Sequence, residues 1–105
     1  MKVNFIVCDD NVMTLKKVER IISRSMMGNK LAYKTHLFND YNDKFMETLN
    51  SSMSNKIYIL DIETPTRSGI DIARKIRFND VNSVIIFLTG HEELGLTILK
   101  NELMF

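Results

Sequence analysis

A chain of 105 residues, 45% hydrophobic and 26% charged, has the size and make-up of one ordinary globular domain spanning residues 1–105. A net charge of +1 gives no overall drive toward nucleic acid or an acidic membrane surface, so neither direct nucleic-acid binding nor membrane attachment is expected. The single Cys8 excludes an internal disulfide and fits a reducing cytosol, hence a cytoplasmic location, and no apolar stretch reads as a bilayer span or signal peptide.

The first element is an apolar run, Val3-Asn4-Phe5-Ile6-Val7-Cys8, that ends on Asp9-Asp10. Asn11 or Asp10 then caps a helix whose Leu15, Val18, Ile22 and Met26 share one face, and Gly28-Asn29 stops it. Leu31 to Phe38 reads as a second strand, more polar and alternating, as suits a sheet edge. Asn39 or Asp40 starts a second helix with Tyr41, Phe45, Leu49 and Met53 at helical spacing. Ile57-Tyr58-Ile59-Leu60 is a third strand ending on Asp61, and a loop from Ile62 to Ser68 carries the only proline, Pro65. Gly69 opens a third helix with Ile72, Ala73 and Ile76 inward. Val84-Ile85-Ile86-Phe87-Leu88 runs into Thr89-Gly90 as a fourth strand, and His91 to about Asn101 is expected to be a fourth helix.

Strands alternating with helices predict an α/β class with a doubly wound parallel sheet, helices lying on both faces through right-handed crossovers. The near-continuous apolar strands fit burial on both sides. In such sheets ligands bind beyond the carboxyl ends of the strands, where this chain gathers Asp9, Asp10, Asp61 and Thr89. Clustered carboxylates repel one another until a cation joins them. Oxygen donors without His or thiolate favour Mg²⁺ (or Mn²⁺) over Zn²⁺. Asp61 is then placed to attack phosphorus and form an aspartyl-phosphate, Thr89 to donate its hydroxyl to a phosphoryl oxygen, and Glu63 to offer its backbone carbonyl to the metal.

These residues resemble the receiver domains of two-component response regulators, along essentially the whole chain. Cys8-Asp9-Asp10 is similar to that family's metal-binding pair. Leu60-Asp61-Ile62-Glu63-Thr64-Pro65, with Gly69 downstream, is similar to its phosphoacceptor loop, and Phe87-Leu88-Thr89-Gly90 to its hydroxyl switch. The resemblance implies a flavodoxin-like strand order 2-1-3-4. It implies phosphoryl transfer from a sensor histidine kinase to Asp61, Mg²⁺ held by Asp9, Asp10, Asp61 and the Glu63 carbonyl, and a switch at Thr89 that acts on an output domain. It implies a signalling phosphoprotein of transcription regulation that catalyses only its own phosphorylation and dephosphorylation, not an enzyme in the ordinary sense. Cys-Asp-Asp and Thr89-Gly90-His91-Glu92-Glu93-Leu94 look most like receivers joined to LytTR-type DNA-binding domains.

The resemblance departs at one end. The family continues into a fifth strand ending on a lysine, then a fifth helix, and this chain stops at Phe105, with Lys100 too early to serve. The fifth strand and helix are therefore expected to be missing and strand four to be an open edge. That edge invites a homodimer, by exchange of the segment from His91 to Phe105. Two rivals stand beside this reading: a receiver-like interaction module that is not phosphorylated, and a Mg²⁺-dependent phosphatase with an Asp nucleophile, for which Glu63 is the one acid/base partner in the loop. Bland roles fit the rest. Cys8 reads as a small core side chain, His36 and His91 as solvated groups, and Arg67, Arg74, Lys75 and Arg77 as a solvated basic face.

Overall fold

In the computed structural model, residues 2–89 and 97–100 are described, with Thr89 and 97–100 described by backbone alone. The elements in chain order are β1 (Lys2–Cys8), α1 (Val12–Met26), β2 (Ala32–Phe38), α2 (Asp43–Leu49), β3 (Lys56–Asp61), α3 (Gly69–Asn79), β4 (Val84–Thr89) and β5 (Thr97–Lys100). They form one sheet in the order β2-β1-β3-β4-β5. The first four strands pair in parallel, in the expected flavodoxin-like order 2-1-3-4.

The period-two alternation of strands sorts the core into two layers. Ile6, Cys8, Tyr58, Leu60, Ile85 and Phe87 point to the side covered by Phe45 and Leu49 of α2 and Ile72, Ala73 and Ile76 of α3. Val7, Ile59 and Leu88 point to the other side, against Leu15, Val18 and Ile22 of α1. Each buried aliphatic or aromatic side chain of this kind contributes about 1.5–3 kcal/mol of transfer free energy. Both layers hold β1 and β3 side by side.

Helix ends follow local chemistry. The Asn11 side chain accepts from the amides of Met13 and Thr14, which makes it the N-cap of α1. After α1, Gly28 takes φ +79°, a left-handed conformation that reverses the chain cheaply only for glycine. The second helix starts later than expected. Its cap is Asn42, which accepts from Phe45 N, and it ends at Leu49. Tyr41 therefore precedes the helix and Met53 follows it, although both still pack on the core.

The early stop of α2 is set by Lys56, which is 7% exposed. Its Nζ donates to the carbonyls of Thr48 (3.2 Å), Leu49 (3.1 Å) and Ser51 (3.1 Å). Thr48 O also accepts from Ser51 N (3.2 Å) and the Ser51 hydroxyl (2.7 Å), and a cation at this point suits the negative end of the helix dipole. Burial lowers the Lys56 pKa, with Asp80 pulling the other way.

The largest difference from expectation lies at the far edge. Thr97–Lys100, expected within a helix, is a strand that pairs antiparallel with β4, Thr89 opposite Thr97 and Ile86 opposite Lys100. Two β-branched residues, Thr97 and Ile98, favour strand over helix, and the unpaired backbone of β4 offers a ready ladder. Strand four is thus not an open edge, and the ground for a homodimer through it falls away. The parallel fifth strand of the resemblance is a different element, since β5 runs the opposite way. The remainder of the expected helix, residues 91–96 and 101, lies outside the described residues, as do residues 102–105. Among the described residues no helix is long and apolar enough to cross a membrane.

Replacing Lys56 with Met should destabilise the fold by about 1–3 kcal/mol, because three carbonyls lose a buried donor. Urea unfolding of the two chains checks it, and an unchanged midpoint would show that Lys56 does not secure α2.

Candidate functional site

The pairing of β1 with β3 builds the site. Cys8 lies opposite Leu60, so the chains leave the sheet together at Asp9 and Asp61. One carboxylate oxygen each from Asp9, Asp10 and Asp61 fall within 4.8 Å of one another. Asp9 is buried, Asp61 half-buried and Asp10 exposed, so the cluster grades from core to solvent. Asp9 and Asp61 also start their own loops in the same way. Asp9 Oδ1 accepts from Asn11 N at 2.8 Å, and Asp61 Oδ1 accepts from Glu63 N at 3.3 Å, two residues on in both cases.

The loop after Asp61 folds back on itself. Glu63 bridges to Ser68, Thr64 N donates to Arg67 O at 3.0 Å, and Pro65 sits at the exposed tip. Gly69 N donates to Ile62 O at 2.6 Å, while the Ser68 hydroxyl accepts from Ile70 N to cap α3. Gly69 is required by proximity: a Cβ there would lie deep inside contact distance of the Asp61 carbonyl oxygen and 3.0 Å from the Tyr41 hydroxyl.

Two neighbours of Asp61 were not legible as site residues. The hydroxyl of Tyr41, itself buried, donates to the Asp61 carbonyl at 2.7 Å. Asp40 accepts from the Thr66 hydroxyl at 2.5 Å and from Tyr41 N at 2.8 Å. The Thr66 bond leads the effects that hold the Asp40 carboxyl below its usual range. The β2–α2 turn thus clasps the Asp61 loop. Tyr41 and Asp61 are twenty residues apart, and nothing in the local pattern of either announces the pair.

The other expected site residues are placed as follows. Thr89 ends β4, one residue beyond Leu88, the register partner of Asp61, and its side chain lies outside the described residues. Glu63 is exposed and meets Asp61 through its amide, while its carboxylate is not one of the three that converge. Cys8 lies directly below the cluster. Burial, then Asp40, Asp61, Asp9 and Asp10, push its thiol pKa far up, so it stays a protonated core group. Burial likewise raises the Tyr41 phenol, which keeps it a donor. The donor set is therefore oxygen only, which fits a hard divalent cation rather than Zn²⁺.

The chain is similar to Stress response regulator protein 1 of Candida albicans, in strains WO-1 and SC5314, at 34% identity over 74 residues. That stretch is 70% of this chain and 24% of each relative, so the chain spans about a quarter of their length. No protein-family profile matches it. The likeness is to a regulator, on a flavodoxin-like sheet with an acidic cluster at the ends of its strands.

Iodoacetamide should leave Cys8 unmodified in the folded chain at pH 8 and alkylate it fully in urea. A raised thiol pKa keeps the reactive thiolate scarce well above that pH. Fast alkylation of the native chain would show that Cys8 is neither buried nor held protonated.

Proposed function

We propose that the chain is a phosphoacceptor receiver domain, a response-regulator module that takes a phosphoryl group onto Asp61. The observation that carries this is the convergence of Asp9, Asp10 and Asp61 within 4.8 Å, beyond the carboxyl ends of β1 and β3. The similarity to a stress response regulator supports the same reading.

In the proposed reaction a carboxylate oxygen of Asp61 attacks the phosphorus of a phosphohistidine on a sensor kinase. A P–O bond to Asp61 forms as the P–N bond to the imidazole breaks, and the imidazole leaves with the bonding electron pair and takes up a proton. Asp9 and Asp10 would hold Mg²⁺, which neutralises the charge that Asp61 and the phosphoryl oxygens bring together. The Tyr41 hydroxyl and the close approach of Gly69 fix the Asp61 backbone, so that little reorganisation is needed as the bond forms. The Glu63 amide orients Asp61 Oδ1, and its carbonyl is a proposed further ligand. Thr89, on the strand beside Asp61, is the proposed switch, its hydroxyl turning toward the phosphoryl group and biasing a two-state surface around β4.

The module would catalyse its own phosphorylation and dephosphorylation in the cytoplasm. It would act on an output domain that governs transcription, for which the Cys8-Asp9-Asp10 pattern suggests a LytTR-type DNA-binding domain. The phosphatase alternative is weakened by Glu63, whose carboxylate stands outside the cluster where an acid/base partner is needed.

Acetyl phosphate with Mg²⁺ should add one phosphoryl group per chain by intact mass, and chelation of the metal should prevent it. Asp61→Asn should remove the adduct, and Asp9→Asn should slow its formation at least about tenfold, equivalent to about 1.4 kcal/mol of barrier. An adduct that persists in Asp61→Asn would overturn the assignment. A folded chain that takes up neither Mg²⁺ nor phosphate would leave the unphosphorylated interaction module in its place.

A further inference from the structure

Charge is unevenly distributed along this nearly neutral chain. Seven Lys or Arg residues precede His36, against three Asp or Glu, and two of those acids, Asp9 and Asp10, belong to the carboxylate cluster. Helix α1 carries one acid, Glu19. Five of these seven cations, Lys16, Lys17, Arg20, Arg24 and Lys34, lie on α1 and β2, which pack against each other. His36 registers the positive charge. Its pKa is lowered, first by burial and then by Lys34 and Lys2.

Between α1 and β2 runs an open groove of about 770 Å³. Lys16, Glu19, Arg20 and Ser23 line it from the helix, with Tyr33 and Lys34 from the strand. Lys16, Arg20 and Lys34 are exposed, and none forms an ion pair with another described residue. Beside the groove, β2 is the last strand of the sheet. Among the described residues nothing pairs with its outer backbone edge over Ala32–Phe38.

We propose that this groove docks an extended acidic peptide, which adds as a strand to the open edge of β2 with its carboxylates on Lys16, Arg20 and Lys34. The spacings match. Positions four apart on a helix rise by about 6 Å, and alternate residues of a strand by about 6.6–6.8 Å. Carboxylates on one face of an added strand therefore meet Lys16 and Arg20 in succession. Carboxylates on the other face reach Lys34, which alternates with Tyr33 and Leu37 across the sheet. Tyr33 and Leu37, each 37% exposed, give the methylene stems of the acidic side chains a surface on the α1 side. The unpaired backbone edge separates this partner from a nucleic acid, which has phosphates for the cations but no amide ladder for the strand. The site is independent of Asp61 chemistry.

The test uses the full chain and a fluorescein-labelled oligoglutamate peptide, which carries carboxylates on both faces of an added strand, read by anisotropy. Saturable binding should weaken as salt rises. It should fall at least tenfold in the Lys16→Glu/Arg20→Glu variant, and change less than twofold in Lys17→Glu, which alters charge on α1 outside the groove. Amides of Ala32–Phe38 should gain hydrogen-exchange protection when the peptide is bound. A peptide with Lys in place of Glu, and one with Pro at alternate positions, should not bind. Equal binding of the Lys peptide, an equal loss in Lys17→Glu, or absence of protection in β2 would overturn the proposal. So would preference for duplex DNA over the Glu peptide, which would assign the patch to nucleic acid.

Discussion

Parallel pairing of β1 with β3 holds three carboxylates where they would not settle by themselves. Unit charges of one sign at about 4 Å repel by about 1 kcal/mol in water and about 4 kcal/mol near a protein surface. The cluster of Asp9, Asp10 and Asp61 therefore draws on stability supplied elsewhere. The source is visible in the two strands, whose Ile6, Val7, Cys8, Tyr58, Ile59 and Leu60 are nearly all excluded from solvent. A sheet packed on both faces cannot let its central strands slide, because a slip of one residue would turn each apolar set to the wrong layer. A cation shared by the carboxylates would turn this unfavourable proximity into affinity, which is how the fold creates the chemistry.

The surroundings of Asp61 extend the same logic to a single backbone atom. Its carbonyl receives the Tyr41 hydroxyl and lies so close to Gly69 that no larger residue fits. Asp40 ties the same turn to Thr66 in the loop beyond Asp61. The core layer of α2 and α3 is thus joined to the site through Tyr41, which packs edge-on against Phe45 at a ring separation of 5.0 Å. Changes in that layer would be felt at Asp61.

What could be read in the sequence divides along the range of the interactions involved. The strands β1, β3 and β4, the inner stripes of α1 and α3, and the gathering of Asp9, Asp10 and Asp61 follow from local periodicity and topology, and the structure has them where expected. The start of α2 was misplaced because Asn39, Asp40 and Asn42 are all good caps, and only the packing of Tyr41 selects Asn42. Lys56 carries no local signal of its role, yet it closes the end of α2 through three carbonyls brought to it by the fold. Thr97–Lys100 carried an apolar pattern short enough to suit helix or strand, and the free edge of β4 decided between them. Tyr41 and Asp40 depend on contacts across twenty and twenty-six residues, for which a single sequence holds no local signal.

The central claim is that the three carboxylates act as one cation site. A Mg²⁺ titration followed by amide NMR shifts tests it most directly. The account predicts that Asp9–Asn11 and Asp61–Glu63 shift together along one saturable curve, while the far end of α1, Ile21–Met26, stays still. Shifts confined to one of the two segments, or none that saturate, would contradict it.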